Sequence, residues 1–266
     1  MHTNKLKGPI ADLDVKHKSL LFAELATLAY TEKANATKEA KKLGFTTVEY
    51  YNIAGAQAYR FMNKVDFVIA CRGTEPTQFN DIKADLNAIP TKSETVSYVH
   101  SGFKEEVDKI WPRLVDDIRR EADKRTVWFC GHSLGAAMAT IVASRCTGSK
   151  DCPNPAELYT YGSPRVGFKK YVQSEPITHY RWVNNNDIVT RVPMWIMGYR
   201  HDGERMYLNT YGNVRKMGKW QRFKDRWRGL WLGIKKGKID SFSDHSMTNY
   251  VSYINTWAEG KENPQK

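Results

Sequence analysis

Ser133 lies in Gly131-His132-Ser133-Leu134-Gly135, after the apolar run Val127-Trp128-Phe129-Cys130 and before Ala136-Ala137-Met138-Ala139. A serine bracketed by glycines two residues away, where a strand gives way to a helix, is the nucleophile-elbow pattern. The glycines relieve crowding in a turn too sharp for side chains, so the serine can project its oxygen from a strained backbone. The helix that follows directs unsatisfied N–H groups at the spot where an oxyanion would form. The chemistry this suits is attack of a hydroxyl on an acyl carbonyl.

A serine hydroxyl is a poor nucleophile at neutral pH; it needs an imidazole to take its proton and a carboxylate to hold that imidazole in the right tautomer. At such an elbow the acid, and then the histidine, follow the serine along the chain. His179, His201 and His245 qualify by position. His179 falls inside an apolar strand pattern and His201 lies beside a turn, whereas His245 stands in the polar loop Ser243-Asp244-His245-Ser246 and is preferred. Asp187, in Asn184-Asn185-Asn186-Asp187, is the preferred acid, because it follows the strand pattern ending at Val183 and so reaches the carboxyl edge where such sheets carry their sites. Asp202 and Asp244 are the alternatives. One oxyanion donor is the backbone N–H of Leu134, and the second is expected at Thr74, just past another apolar strand.

The elements that must position these residues are read from periodicity. Leu20, Leu21, Leu25, Leu28 and Ala29 place an amphipathic helix over Lys18 to Thr31, and Thr46 to Asn52 with Ala56 to Met62 reads as a hairpin around Ala54-Gly55. Lys64 to Cys71 is nearly continuous apolar sequence, as for a strand buried on both faces. A short strand, Val96 to His100, precedes a helix from about Gly102 to Lys124, and Thr126 to Cys130 leads into the elbow. Ala156 to Tyr161 and Ile177 to Val183 are further strands around a short helix near Val166 to Val172. Tyr199 to Asn209 reads as a hairpin turned by Asp202-Gly203, and Met247, Tyr250, Val251 and Ile254 give a closing helix. Strands alternating with helices predict an α/β fold with a mainly parallel, doubly wound sheet, and residues 1–266 read as one domain.

Cys71-Arg72-Gly73-Thr74, Val99-His100-Ser101-Gly102-Phe103, the elbow, Tyr161-Gly162-Ser163-Pro164-Arg165-Val166-Gly167, Asn186-Asp187-Ile188-Val189 and Asp244-His245-Ser246 follow one another in the chain. In that order they resemble the successive blocks of the class 3 lipase family. The resemblance implies an α/β-hydrolase fold and Ser-His-Asp hydrolysis of acylglycerols or related carboxylic esters, without metal or other cofactor. It places Ser133, Asp187 and His245 as the triad, with Thr74 and Leu134 as oxyanion donors. Ala136 stands where the family often has glycine. Phe79, Ile82, Leu86 and Ile89 form an apolar stripe opposite Asp81, Lys83 and Asp85; in the family the equivalent segment is a mobile lid, so residues 75–90 are expected to cover an acyl groove.

The net charge of +12 over 266 residues is concentrated. Residues 214–238 hold ten Lys and Arg against Asp225 alone, so they carry nine of those charges. This insert departs from the family pattern. Met217, Trp220, Phe223, Trp227, Leu230, Trp231 and Ile234 recur every three or four residues, with basic residues between them. A basic helix with aromatics on one face suits the headgroup boundary of an anionic membrane, which makes Trp220, Arg222, Phe223, Trp227, Arg228 and Trp231 candidates for surface contact. The opposing expectation is that the aromatics pack on the domain and the charges merely solvate it. Gly218, Gly229 and Gly233 weaken a single straight helix.

The partner expected is therefore a lipid or other ester, with peripheral contact to an anionic membrane. A phospholipase A1-type hydrolase is the neighbouring reading, and a non-catalytic protein binding anionic surfaces or nucleic acid is the reading from another class. No segment resembles a nucleic-acid-binding module, so no nucleic-acid partner is expected. No apolar run is long enough to span a bilayer and Met1 to Pro9 lacks the apolar core of a secretory signal, which predicts a protein that stays inside or leaves by a non-classical route. Four cysteines are too few for a disulfide scaffold; Cys146 and Cys152 would close a small loop in an exported chain.

Overall fold

The computed structural model describes residues 1–73, 89–150, 152–174, 176–235 and 243–264. Helix α1 (Val15–Leu28) is capped by the Asp14 carboxylate, which accepts from the His17 N–H at 2.9 Å, and α2 (Lys33–Leu43) closes on the left-handed Gly44. Strands β1 (Thr47–Ile53), β2 (Ala56–Met62) and β3 (Asp66–Cys71) run antiparallel. Next come β4 (Pro90–Lys92), β5 (Tyr98–His100) and the long helix α3 (Ser101–Glu121). Strand β6 (Thr126–His132) leads through Ser133 into α4 (Leu134–Cys146), followed by β7 (Glu157–Tyr161), β8 (Gly167–Phe168), α5 (Lys169–Ser174) and β9 (Thr178–Asn184). The chain continues as β10 (Tyr199–Arg200), β11 (Glu204–Leu208), α6 (Lys219–Lys235) and α7 (Met247–Ala258).

Among the described residues the main sheet has seven strands in the order β1-β2-β3-β6-β7-β9-β11, and from β3 to β11 all neighbours are parallel. Alternation along its strands divides the core. Phe67, Ile69 and Cys71 of β3, with Val127 and Phe129 of β6, face α3 and α4. Val68 and Ala70, with Trp128 and Cys130, face α1, α2 and α7 on the other side. Burial on both faces explains why β3 reads as one apolar run, and each large side chain so buried contributes on the order of 1.5–3 kcal/mol. Helix α4 is buried from Gly135 to Cys146, so it has no polar face. The polar end of Trp128 is satisfied by the Asp66 carboxylate at 3.0 Å.

A second sheet of four short strands, β10-β8-β5-β4, lies apart from the first. It corrects one expectation: Tyr199 to Asn209 is not a hairpin. Tyr199–Arg200 pairs with β8, while Glu204–Leu208 pairs in parallel with β9, so Asp202-Gly203 joins two sheets. The turn faces inward because Gly203, at φ +75°, presses against His179, leaving no room for a side chain. The segment near Val166 to Val172 begins as strand β8 before it turns into α5. Helix α2 buries only Ala36, Ala40 and Leu43, too faint a stripe to stand out in the sequence. The four cysteines are buried thiols outside any disulfide, and Cys146 and Cys152, which could have closed a loop, are hydrogen-bonded to each other instead. Among the described residues no helix is long and apolar enough to cross a membrane.

Candidate active site

Ser133 sits between β6 and α4 at φ 59° and ψ −129°, a left-handed conformation unusual for a side-chain-bearing residue. Its neighbours show why glycine is needed around it. A Cβ on Gly131 would collide with the carbonyl of Gly135, and one on Gly135 would collide with the backbone of Cys71, Arg72 and Gly73. Gly73 in turn lies so near Ser133 and the His132 carbonyl that any side chain would push the elbow aside. The Ser133 N–H donates to the Tyr161 carbonyl at 3.0 Å, fixing the turn to β7. Leu134 is the first residue of α4, so its N–H belongs to the turn that has no intrahelical acceptor.

Asp187 and His245 come from two loops stitched together. The Asn184 side chain donates to the Asp244 carbonyl at 2.9 Å, and the Asn186 N–H donates to the Asp244 carboxylate at 3.0 Å. Across this seam His245 Nδ1 faces both oxygens of Asp187 at 3.0 Å. The Asp187 carboxylate is wholly buried and also accepts from the Tyr250 hydroxyl at 2.7 Å and the Val189 N–H at 3.0 Å. Those donors compensate the charge and fix its plane, so His245 Nδ1 carries the proton and Nε2 is left as the basic nitrogen. Gly162, at φ +59°, forms one wall: a Cβ there would come within 2.7 Å of the His245 ring and 2.8 Å of Asp187.

Behind the pair lies a relay absent from the sequence expectations. His132 Nε2 donates to the His245 carbonyl at 2.8 Å, and its Nδ1 accepts from the Tyr30 hydroxyl at 2.9 Å. The carbonyl can only accept, which assigns the tautomer. Burial, and then the nearby His245, push the His132 pKa well down, so this ring stays neutral and braces the loop. Tyr250, five residues beyond His245 in the first turn of α7, could have been noticed from that spacing; Tyr30, over a hundred residues before the pair it braces, leaves no local signal.

The other candidates separate. His179 is paired with Asp202 at 3.2 Å and His201 faces the Thr190 carbonyl at 2.7 Å. Asp244 serves the Asn186 backbone, and burial pushes its pKa up to about 6. Thr74, and the segment carrying Phe79, Ile82 and Leu86, lie outside the described residues.

Residues 219–235 of the basic insert form α6 without a break, with the aromatic stripe outward: Trp220, Phe223, Trp227 and Trp231 are 65%, 49%, 59% and 58% exposed. That removes the expectation of aromatics packed on the domain. The stripe turned to the domain is Arg222, Asp225, Arg226 and Gly229, at i, i+3, i+4 and i+7, with Asp225 buried and the other three half-buried. The Asp225 carboxylate accepts from the Tyr207 hydroxyl at 2.9 Å, the Thr210 N–H at 3.1 Å and the Asn185 side chain at 3.2 Å. Gly229 permits the close approach, since a Cβ there would meet Thr210 at 2.8 Å. Of the six surface candidates, Arg222 thus faces the domain and is half-buried.

A mainly parallel sheet whose central strand ends in a strained serine at a helix N-terminus defines an α/β-hydrolase. The class 3 lipase profile matches residues 68–197, and the chain is similar to that family over this stretch. Toxin TseL of Vibrio cholerae is 30% identical over 194 residues, covering 56% of this chain and 30% of that protein. The secreted mono- and diacylglycerol lipase 1 of Fusarium solani is 34% identical over 117 residues, covering 42% of this chain and 34% of that protein. The chain thus spans about a third of the length of these relatives. A crystal structure of a variant MDLA protein from Penicillium cyclopium superposes with a TM-score of 0.65 at 18% identity, over 91% of this chain and 100% of that one, a likeness of fold.

Proposed function

We propose that the chain is a serine carboxylic ester hydrolase acting on acyl lipids, acylglycerols first, at a lipid surface. The observation that carries this reading is Ser133 held at positive φ at the start of α4, directly after His132, whose ring centroid lies 4.4 Å from that of the Asp187-paired His245. His245 Nε2 takes the Ser133 proton as Oγ attacks the ester carbonyl, forming a tetrahedral oxyanion. The Leu134 N–H, joined by Thr74 in this reading, stabilises that charge before the alcohol departs with the proton from His245. Water, deprotonated by the same imidazole, then releases the acid from Ser133. The Fusarium relative's name, a mono- and diacylglycerol lipase, supports an acylglycerol substrate.

Helix α6 supplies the contact with the surface. Its outward rings form one continuous row, with Trp220 and Phe223 centroids 5.3 Å apart and Phe223 and Trp227 6.2 Å apart. Lys224 and Arg228 flank that row, so rings can enter the headgroup boundary while cations meet anionic lipid. Labelling by a fluorophosphonate ester tests the chemistry. Stoichiometric labelling that disappears in Ser133→Ala is expected; labelling that survives the substitution overturns the assignment.

A further inference from the structure

The arginines of this chain differ in what they face. Arg60 with Asp117, Arg113 with Glu49, Arg119 with Asp116, Arg145 with Glu94 and Asp108, and Arg215 with Glu262 each face a carboxylate. Among the described residues Arg191, Arg205, Arg222 and Arg226 form no ion pair, although Asp187 and Asp244 act on Arg191 from a distance and Asp225 lies beside Arg226. They gather where α6 meets the main sheet: Arg205 on the outermost strand β11, Arg222 and Arg226 on the domain-facing stripe of α6, and Arg191 on the turn after Asp187.

Their hydrogen bonds are few and go to uncharged groups. Arg191 donates to the Asn186 side-chain oxygen at 2.9 Å, and the Asn186 amide donates to the Arg226 carbonyl at 2.9 Å, so one asparagine holds Arg191 beside α6. Arg226 Nε reaches the Asn185 carbonyl at 3.3 Å, and Arg222 donates to the Met217 carbonyl. A guanidinium offers five donors, so most here remain for a ligand. Partial burial, and then repulsion from Arg226 at Arg191 and Arg222 and from Arg222 and Arg226 at Arg205, push these pKa values down, against the pull of Asp187 and Asp244 on Arg191. Like charges held this close in a folded protein are a standing cost that a bound anion removes.

We propose that Arg191, Arg205, Arg222 and Arg226 form a phosphate-binding site at the root of α6, which receives the headgroup of an anionic phospholipid. The proposal rests on the lipid-surface reading above and adds a chemical preference to it. Planar forks match phosphate oxygens in pairs, so the site selects phosphate over a carboxylate of equal charge. The position fits a membrane: the cluster lies behind the aromatic row on the same helix, so a lipid whose tails lie among those rings has its phosphate beside Arg222 and Arg226. The docked lipid is a surface ligand and is separate from the ester cleaved at Ser133.

The test uses the full chain, vesicles of phosphatidylglycerol or of phosphatidylcholine, and inorganic phosphate. A double variant, Arg205→Gln with Arg222→Gln, is compared with Lys224→Gln plus Arg228→Gln, which removes equal charge from the outward flank. The first pair is expected to weaken phosphatidylglycerol binding at least ~10-fold more than the second, to raise the melting temperature without anion, and to abolish the rise that phosphate gives the parent. Equal losses from the two pairs, or an undiminished response to phosphate, overturn the site. A parent that binds phosphate but shows no preference for phosphatidylglycerol vesicles overturns the lipid headgroup as its ligand. Hydrolysis of a short soluble ester by the parent is a separate readout, and its failure strikes the esterase reading alone.

Discussion

His245 and His179 each face a carboxylate through Nδ1, Asp187 at 3.0 Å and Asp202 at 3.2 Å, and both rings are buried. His179 even meets a hydroxyl through Nε2, that of Thr160 at 2.7 Å. As a series of atoms, Thr160-His179-Asp202 is hydroxyl, imidazole and carboxylate. The surroundings differ. Thr160 lies within β7 with extended neighbours on both sides, Gly131 of β6 and Arg181 of β9, and is completely enclosed. Ser133 stands at a strand end, at positive φ, before the open N–H groups of α4. Arg181 donates to the Asp202 carbonyl at 3.0 Å, and burial first, against the pull of Asp202 and with the push of that guanidinium, lowers the His179 pKa. Around His245 the described neighbours include Asp187 and the neutral His132. Imidazole and carboxylate are thus a common structural joint; a strained nucleophile and backbone donors at the end of the series make the difference.

The comparison breaks first at the nucleophile. Ser133→Ala, His245→Ala and Asp187→Asn should each lower kcat/KM for a soluble ester by about 10⁴-fold, as triad losses do, whereas Thr160→Val should leave the rate within a few-fold in the same assay. Gly162→Ala should cost on the order of 10²-fold in kcat with the fold retained by circular dichroism, because its methyl group displaces the His245 ring. Tyr30→Phe removes the donor to His132 and should lower kcat by about 10-fold or less, with KM unchanged. His179→Ala should leave ester hydrolysis near the parent while lowering stability by about 1–3 kcal/mol in urea denaturation, since Thr160 and Asp202 lose a buried partner.

The smallest effect concerns Asp244 and its pH dependence. Its folded pKa of about 6 lies above the ordinary 3.8 of an aspartate, so between those values the fold binds a proton that the unfolded chain has released. Stability therefore declines as pH rises through that window, and the full cost is present above pH 6. Asp244→Asn keeps an oxygen for the Asn186 N–H and removes the cost, so it should stabilise by about 1–2 kcal/mol at pH 8 and by little at pH 4. An equal gain at both pH values would show that burial of the charge is not the cause.

Much of this is legible in the residues. Strands β3 and β6 announce themselves because both faces are covered, and the elbow because glycines are demanded on either side of Ser133. Asp187 and His245 stand out through turn chemistry and chain order. What sequence does not carry is which side of a two-sided pattern faces inward. Helix α6 has an aromatic stripe and a polar stripe, and ordinary reasoning buries the aromatic one; the structure buries Asp225 because the surface beneath is a polar turn with donors to spare. The Asp202-Gly203 turn has hairpin chemistry, yet its flanking segments find better partners in β8 and β9. The arginine cluster is scattered from 191 to 226 on three elements, so no window of sequence contains it.

The anchorage of α6 separates two kinds of evolutionary freedom. Its attachment depends on Asp225 and the bare Cα of Gly229, while Trp220, Phe223, Trp227 and Trp231 support no part of the core. Descendants of this chain can rewrite that outer row residue by residue, trading one kind of surface for another, without the folding penalty that a core substitution carries. In the reading proposed above, the hydrolytic centre and the choice of where it works are inherited as separate traits.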